Sequence, residues 1–343
     1  MIRAVKLNEW VSATLIAALA GVTLAYLDWN SPTQPPAITT PQQPTGIDAE
    51  PITPLPLAAP LDSRKVELGQ RLFHDTGLSG DGSVSCAQCH KLDSGGTDRL
   101  VHSRGIGGKE GGINAPTVFN SGFNFRQFWN GRAETLEEQV DGPLQHPAEM
   151  GATWPQAIAT LSKDPSYRAA FADIYRDGIQ PRNVRDAIAT FERSLVTPNS
   201  RFDRFLRGDH AALNEEEQAG YRLFKQMGCA SCHQGMNIGG NTYQKLGIME
   251  DYFTARGNIS EADLGRFSIT KQEDDRYVFK VPSLRNIALT PPYLHDGSAN
   301  TLEDVVRVMA RYQLGEQIDT DDLKKMVAFL HTLTGEYRGK PLE

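Results

Sequence analysis

The sequence places all four of its cysteines in one repeated pattern, Cys86-Ala-Gln-Cys89-His90 and Cys229-Ala-Ser-Cys232-His233. A C-x-x-C-H pentapeptide is the attachment site of a c-type haem. The two thiols form thioethers with the haem vinyl groups, and the adjacent imidazole ligates the iron. Zinc sites and redox disulfides also use C-x-x-C pairs, but neither needs a histidine directly after both second cysteines. The pattern predicts two covalently bound haem c groups, around which the chain must fold.

Length and charge narrow the class of protein. The 343 residues are enough for two domains of ordinary size, and 39% are hydrophobic against 22% charged, as in a soluble protein with a packed core. The formal net charge is −7. A mildly acidic chain is unsuited to binding nucleic acid, so we expect no nucleic-acid partner.

The N-terminal residues differ from the rest. Arg3 and Lys6 precede an uncharged apolar run over residues 11–27, a length near the minimum for a membrane helix and also suited to a signal peptide. Residues 31–60 contain nine of the twenty prolines. We therefore predict a membrane anchor or signal segment over residues 1–30 and an extended Pro-rich linker over residues 31–60. The folded part is expected in the periplasm, tethered to the inner membrane if the anchor is uncleaved.

A short phrase precedes each haem motif. Residues 69–73 read Gly-Gln-Arg-Leu-Phe and residues 220–224 read Gly-Tyr-Arg-Leu-Phe. This similarity indicates two copies of one haem-binding module. The sequence therefore predicts two cytochrome c-like domains, over residues 61–197 and 198–343.

The fold class is predicted to be mainly α. Apolar residues recur at helical spacing in three stretches, and no convincing β-sheet pattern is visible. By contrast, the glycine-rich stretch over residues 91–122 is predicted to be a loop around the first haem. The three helical faces are Val184, Ala187, Ile188, Phe191 and Leu195; Leu302, Val305, Val306, Met309 and Tyr312; and Leu323, Met326, Val327, Leu330 and Leu333.

The ligand on the second face of each iron largely determines whether that haem only transfers electrons or also reacts with a substrate. Met309 is the candidate for the second haem, although a methionine on an apolar helix face is usually core, and Met236 and Met249 compete with it. His102 follows His90 by twelve residues. It is a candidate to ligate the first iron, to bind a haem propionate, or to face solvent, and the local sequence leaves these alternatives open.

Many further phrases, in order and in both halves, carry a resemblance to a known family. From about Leu61 to Gly335 the chain resembles the bacterial diheme cytochrome c peroxidases. The matching phrases are Ser83-Val84-Ser85-Cys86, Gly95-Gly96-Thr97-Asp98, Ile113-Asn114-Ala115-Pro116-Thr117-Val118, Gln127-Phe128-Trp129-Asn130-Gly131-Arg132, Leu136-Glu137-Glu138-Gln139, Pro147-Ala148-Glu149-Met150, Lys280-Val281-Pro282-Ser283-Leu284-Arg285-Asn286, Pro292-Tyr293-Leu294-His295-Asp296-Gly297 and Arg311-Tyr312-Gln313-Leu314-Gly315.

The resemblance implies a role for each haem. The first would be the low-potential haem that reacts with hydrogen peroxide, with His90 as its proximal ligand. Glu149 and Gln139 would be the acid–base glutamate and its helper above that haem. The second would be the high-potential haem, with His233 and Met309 as its ligands.

The resemblance also implies roles for residues near the two haems, a calcium site and a homodimer. Trp129 would lie between the two haems, and His295 near the electron-entry haem. Asn114, with the backbone carbonyls of Thr290 and Pro292, would form a calcium site at the domain interface. The family is commonly dimeric, so a homodimer is expected.

One position departs from the family pattern. Typical members carry a histidine before the Ile113-Asn114 phrase, and it caps the resting peroxidatic iron. The ungapped equivalent here is Ile106, which cannot ligate a metal. Either His102 substitutes for it or the first iron is permanently open. The departure predicts an open, high-spin first haem in the ferric protein.

We therefore predict a diheme peroxidase that reduces hydrogen peroxide to water. Its electrons would come from a small cytochrome c, a cupredoxin or the quinol pool. A diheme electron carrier, with both irons closed by His102 and Met309, is the first alternative. A related diheme enzyme that oxidises a partner protein and closes its second haem with a tyrosine is another, for which Tyr312 is the candidate.

Overall fold

Helices and loops make up most of the described chain, which in this computed structural model comprises residues 50–58 and 60–343. The predicted anchor over residues 1–30 and the linker up to residue 49 lie outside the described residues. Within the described ranges, every helix is too short or too polar to cross a lipid bilayer. Residues 50–343 cluster into one unit, so both haem motifs belong to the same folded body.

Thirteen α-helices are described within these ranges. In chain order they are α1 Ser63–Phe73, α2 Cys86–Cys89, α3 Leu136–Gln139, α4 Asp141–Gln145, α5 Trp154–Lys163, α6 Pro165–Ile174, α7 Pro181–Ser194, α8 Arg201–Leu206, α9 Glu215–Gln226, α10 Tyr252–Arg256, α11 Phe267–Thr270, α12 Leu302–Met309 and α13 Thr320–His331. The chain continues from α12 into a π-helical turn, Ala310–Leu314. The three predicted helical faces fall on α7, on α12 with its π turn, and on α13, so these helices are confirmed, although Leu195 and Leu333 lie just beyond the ends of α7 and α13.

The glycine-rich stretch over residues 91–122 is a loop, as predicted, with short 3₁₀ turns and one isolated β-bridge between Arg104 and Glu110. Two small antiparallel ribbons, which the sequence did not predict, complete the described structure. They pair β1 Tyr243–Lys245 with β2 Val278–Lys280, and β3 Glu336–Tyr337 with β4 Lys340–Pro341. Each strand has only two or three residues, too few for a recognisable alternating pattern.

In the first half, α1 crosses α7 at backbone contact. A methyl group on Gly69 would lie 1.9 Å from the carbonyl oxygen of Ala187, so only glycine allows this approach. Leu72, Phe73 and Phe191 are fully buried beside the crossing. The first core cluster therefore forms around the α1–α7 pair.

In the second half, α9 crosses α13 in the same way. A methyl group on Gly220 would lie 2.0 Å from the carbonyl oxygen of Lys325. Phe224 packs against Phe329 with ring centroids 5.3 Å apart. The glycine and the phenylalanine of the repeated phrase thus occupy equivalent places in the two halves, which explains physically why the phrase recurs.

Residues 50–55 of the predicted linker lie against the second half, and we call them the docked segment. Ile52 and Leu55 are each only 1% exposed, and Ile52 joins the second core cluster. The Leu55 amide donates to Asp203 Oδ1 at 3.2 Å, and the Thr53 carbonyl accepts from Arg285 at 3.1 Å. The segment has no helix or strand, but part of it is packed rather than solvated.

The C-terminal residues return to the first half. Tyr337 and Leu342 pack against the first core cluster, and the Tyr337 ring contacts Phe119 with centroids 5.1 Å apart. Arg99 donates to the Glu343 carbonyl at 3.2 Å. The last residues of the predicted second domain therefore help to cover the first.

Candidate functional site

Each haem motif forms a single helical turn at the edge of a cavity. The first turn is α2, in which the His90 amide donates to the Cys86 carbonyl at 3.0 Å. The second is a 3₁₀ turn, after which the His233 amide donates to the Cys229 carbonyl at 2.9 Å. Both cysteines and the histidine of each motif line the adjacent cavity. Each turn thus brings two thiols and one imidazole to the same space.

Both motif histidines are oriented by backbone carbonyls. His90 Nδ1 lies 3.3 Å from the Gly96 carbonyl, and His233 Nδ1 lies 3.4 Å from that of Ile238. Donation from Nδ1–H leaves Nε2 with its lone pair, the tautomer that a metal requires. Burial lowers the pKa of His90, and it lowers that of His233 to about 4. Both imidazoles are therefore neutral near pH 7.

All four cysteines are half-buried, and no disulfide joins them. Burial raises the pKa of Cys86 to about 12 and those of Cys89 and Cys229 to about 11. Among the described residues, the one cluster of three or more metal-ligating side chains is Asp263, His295 and Asp296, which contains no cysteine. Neither cysteine pair has the further ligands of a structural zinc site, so zinc is disfavoured.

The first cavity, of about 210 Å³, holds the predicted acid–base pair. Both Glu149 and Gln139 line it, and each is half-buried. Burial raises the pKa of Glu149, while the nearby His146 and Arg132 oppose the rise. His146 Nδ1 lies 3.5 Å from Glu149 Oε1. The carboxyl is therefore partly desolvated, and it has a histidine beside it.

Two short helices bring this pair to the cavity. Thr135 caps α3 by accepting from the Glu138 amide, and α3 ends at Gln139. After α4 the chain turns back, where the Glu149 amide donates to the His146 carbonyl at 3.0 Å. The Glu149 carbonyl accepts from Ile106 at 2.8 Å, which fixes the backbone of the acid.

His102, the candidate for capping the first iron, and Ile106, at the family's capping position, both lie outside this cavity. His102 Nδ1 is 3.3 Å from Glu110 Oε1, and His102 is not among the residues that line the cavity. Ile106 packs against Gly151 and does not line it either. Ligation of the first iron by His102 therefore has no support in this arrangement.

The second cavity, of about 260 Å³, contains the predicted methionine ligand. Met309 lines it at the end of α12, directly before the π turn. Such turns often occur at functional sites. Met236 and Met249 are 37% and 59% exposed and do not line the cavity, although Met227 and Met326 do. Tyr312 does not line it and instead packs against Tyr252, with ring centroids 5.1 Å apart.

Eight residues line both cavities, and we call them the shared wall. They are Asn114, Ala115, Pro116, Thr117, Asn124, Trp129, Lys280 and Pro282. Hydrogen bonds join three of them in sequence: Trp129 Nε1 donates to the Asn114 carbonyl at 2.9 Å, and the Lys280 amide donates to the Trp129 carbonyl at 2.8 Å. Trp129, which is predicted to lie between the two haems, lines both cavities.

His295 lies at the wall of the second cavity in a buried polar cluster. Its Nε2 is 2.7 Å from Asp263 Oδ1, and its ring packs on Phe279 with centroids 4.6 Å apart. Burial lowers the pKa of His295, against a smaller upward effect of Asp263. Arg256 bonds both Asp263 and Asp296, so a cation already fills the space between these carboxylates.

The three predicted calcium residues, Asn114, Thr290 and Pro292, all line the second cavity. Asn114 is buried, and its Nδ2 donates to the Leu100 carbonyl at 2.8 Å. That bond directs the amide nitrogen away and leaves Oδ1 as the available ligand atom. Oxygen donors of this kind suit a hard cation.

Sequence reasoning did not single out Glu192 and Lys280, two charged residues that are buried beside the cavities. Glu192 lines the first cavity, and burial raises its pKa to about 8. Its signal was available, because position 192 lies four residues after Ile188 on the apolar face of α7. Lys280 is 8% exposed in the shared wall. It follows Phe279 in a strand of three residues, which has no pattern that would reveal burial.

The two cavities fit covalently attached haem. Each joins a C-x-x-C-H turn with a correctly oriented imidazole to a largely apolar space. The first cavity also contains a buried hydroxyl, Ser121 Oγ, that lacks a hydrogen-bond partner in the described protein. A polar substituent of a bound group would satisfy such an orphan.

Two family models match consecutive parts of the chain. The model of di-haem cytochrome c peroxidase matches residues 63–211, and the model of cytochrome c matches residues 217–334. The first matched range ends at residue 211 and the second begins at residue 217, and a domain boundary at residue 198 stays a prediction. Both matches agree with a cytochrome c-type domain in each half.

Individual proteins show the same relationship. The chain is 48% identical over 289 residues to cytochrome c peroxidase Ccp of Escherichia coli K12, covering 84% of this chain but only 62% of that relative. It is 46% identical over 288 residues to cytochrome c551 peroxidase of Nitrosomonas europaea, covering 84% and 85%. A solved MauG-like protein associated with microbial copper homeostasis is 31% identical, with a TM-score of 0.72 and coverage of 83% and 93%.

Proposed function

Because this chain belongs to the bacterial di-haem cytochrome c peroxidase family, we propose that it reduces hydrogen peroxide to two waters, using two electrons and two protons. The supporting observation is the first cavity, in which a desolvated Glu149 faces the same space as the His90 turn. A carboxyl near the iron is the group that this reaction needs beside a redox centre.

The protein residues have separate tasks in this reaction. Haem iron, when bound, supplies the site for peroxide and the electrons for cleaving the O–O bond. The Glu149 carboxylate takes the proton from one peroxide oxygen and returns it to the other, so that water rather than hydroxide leaves. Gln139 donates a hydrogen bond that orients peroxide. His146, beside Glu149, connects that carboxyl to solvent protons.

Electrons enter through the second half. Met309 and His233 would hold the second haem, and a methionine ligand would raise its potential and make it the acceptor. Trp129 provides a polarizable path through the shared wall to the first cavity. A small periplasmic cytochrome c is the proposed donor, because the Nitrosomonas relative is named a cytochrome c551 peroxidase. A cupredoxin or quinol would serve the same chemistry.

A steady-state assay tests the activity. The exported protein should contain two covalently attached haems by mass spectrometry and should oxidise a reduced small cytochrome c only when hydrogen peroxide is added. Fewer than two haems, or electron exchange with the cytochrome without peroxide consumption, would contradict the proposal and favour the electron-carrier alternative.

The alternative of a partner-oxidising enzyme has less support. It requires Tyr312 at the second iron, but that side chain packs against Tyr252 outside the cavity, whereas Met309 lines it. A methionine-ligated second haem in the ferric protein, detected by its sulfur-to-iron charge-transfer absorption, distinguishes the two. Loss of that absorption in Met309→Ala identifies the ligand.

A calcium ion held by Asn114, Thr290 and Pro292 is part of the proposal, as is a homodimer. The calcium site is supported by the available Oδ1 of Asn114 at the cavity edge. Asn114 bonds the loop that contains Leu100, and this loop contacts the second half, because Arg99 donates to the Leu289 carbonyl at 2.9 Å. A cation bound by these residues would link the two halves of the chain.

A further inference from the structure

Lys280 is the only charged residue of the shared wall. The other seven members are neutral: two asparagines, two prolines, an alanine, a threonine and a tryptophan. Lys280 stands at the end of β2, paired in register with Tyr243 of β1. Its amide bond to the Trp129 carbonyl fixes its backbone beside the tryptophan. A single positive charge is therefore anchored between the two haem cavities.

The ammonium group of Lys280 has no counter-charge from the described protein. The residue is 8% exposed, and its Nζ forms no ion pair or hydrogen bond with any residue in the ranges 50–58 and 60–343. Burial alone lowers the pKa of Lys280 to about 8. Keeping an unpaired ammonium in such a place is unfavourable unless another group supplies negative charge.

The bound groups would supply that charge. Haem carries two propionate carboxylates, and Lys280 lines both of the cavities that the haems would occupy. The other cations of these cavities are engaged elsewhere: Arg285 pairs with Asp203 at 2.7 Å, and Arg132 lies over the Phe128 ring at 3.4 Å. Lys280 is thus the free cation best placed to meet propionates from either side.

We propose that Lys280 is a positioning residue that pairs with propionates of both haems and sets their reduction potentials together. This inference rests on the proposed haem occupancy of both cavities. A positive charge near two irons stabilises the reduced state of each. It therefore raises both potentials, and it favours electron entry at the second haem without disfavouring delivery to the first.

The test is spectroelectrochemical titration of the holoprotein without peroxide. Lys280→Met removes the charge and keeps the length of the side chain, so both midpoint potentials should fall. Lys280→Arg keeps the charge and should leave both closer to the wild-type values than Lys280→Met does. Lys324→Met, at an exposed lysine of α13, is the matched control for the loss of one charge and should leave both unchanged.

A fall in only one potential, or in neither, would overturn the proposal. If Lys280→Met loses haem, Lys280→Gln is titrated instead, and the same two outcomes apply. Resonance Raman spectra give a second measurement, since the propionate bending bands of both haems should change in the neutral variants and remain in Lys280→Arg. Because neither measurement uses peroxide, an inactive protein with coupled potentials would refute the proposed function and leave this inference standing.

Discussion

At the scale of single residues, Glu149 has the most specific expected effect. Glu149→Gln removes the exchangeable carboxyl and keeps its size, so peroxide turnover should fall roughly 10²–10⁴-fold, the usual range for a general acid–base group. Steady-state kinetics measure the loss. Glu316→Gln, at an exposed glutamate, is the control and should keep wild-type turnover. Equal rates in the Glu149 variant and wild type would exclude this role.

The same residue predicts a pH dependence. Burial raises the pKa of Glu149, and the carboxylate is protonated as the pH falls through that pKa. A protonated carboxyl cannot accept the peroxide proton, so wild-type turnover should decline on the acid side, whereas the residual rate of Glu149→Gln should lack this decline.

His102 is expected to be dispensable for ligation, because its side chain contacts Glu110 outside the first cavity. Electron paramagnetic resonance of the ferric protein should show a high-spin signal from the first haem. His102→Ala should leave the spectrum unchanged. A purely low-spin wild-type spectrum that gains a high-spin signal in His102→Ala would instead identify this histidine as a ligand.

At the scale of helices, the close crossing of α9 and α13 at Gly220 predicts how a substitution there changes stability. In an isolated helix, alanine is more stable than glycine by about 1 kcal/mol. Here the added methyl would meet the Lys325 carbonyl at 2.0 Å, so Gly220→Ala should destabilise the protein by about 1–3 kcal/mol. Chemical denaturation measures this. Arg222→Ala, on the exposed side of α9, should change stability by less than about 0.5 kcal/mol.

The docked segment and the residues just after it offer a matched pair of leucines. Leu55 is 1% exposed and Leu57 is 65% exposed, although they lie two residues apart. Leu55→Ala should reduce the free energy of unfolding by about 2–5 kcal/mol. Leu57→Ala should change it by less than about 0.5 kcal/mol. Equal small effects in denaturant titrations would mean that the segment is not packed in solution.

At the scale of the whole molecule, the sequence predicted the features that depend on residues close together in the chain. The haem turns and helices α7, α12 and α13 followed from spacing and apolar periodicity. Docking of residues 50–55 did not follow, because proline content indicates an extended backbone but not the surface beneath it. The burial of Lys280 was also hidden, since six of its seven partners in the shared wall lie 151–166 residues earlier in the chain.

The proposed calcium ion would affect the whole molecule, because its predicted ligands come from both halves of the chain. An ion that binds only the folded protein stabilises it. Chelation should therefore lower the midpoint of thermal unfolding and slow peroxide turnover, and added Ca²⁺ should restore both. Metal analysis identifies the ion removed. An unchanged unfolding midpoint after complete calcium removal would exclude a structural role. Asn114→Ala is a weaker test, because Asn114 also bonds the Leu100 carbonyl.

The shared wall limits how this protein can be recombined with its relatives. Residues 114–129 contribute six of its members from one half, and Lys280 and Pro282 come from the other. A chimera spliced between residues 211 and 217 would combine wall residues of different parentage. The wall between its two redox centres would then combine side chains that do not match. Exchanging one half should therefore alter the haem site of the other half, unless positions 280–282 are kept from the same parent as residues 114–129.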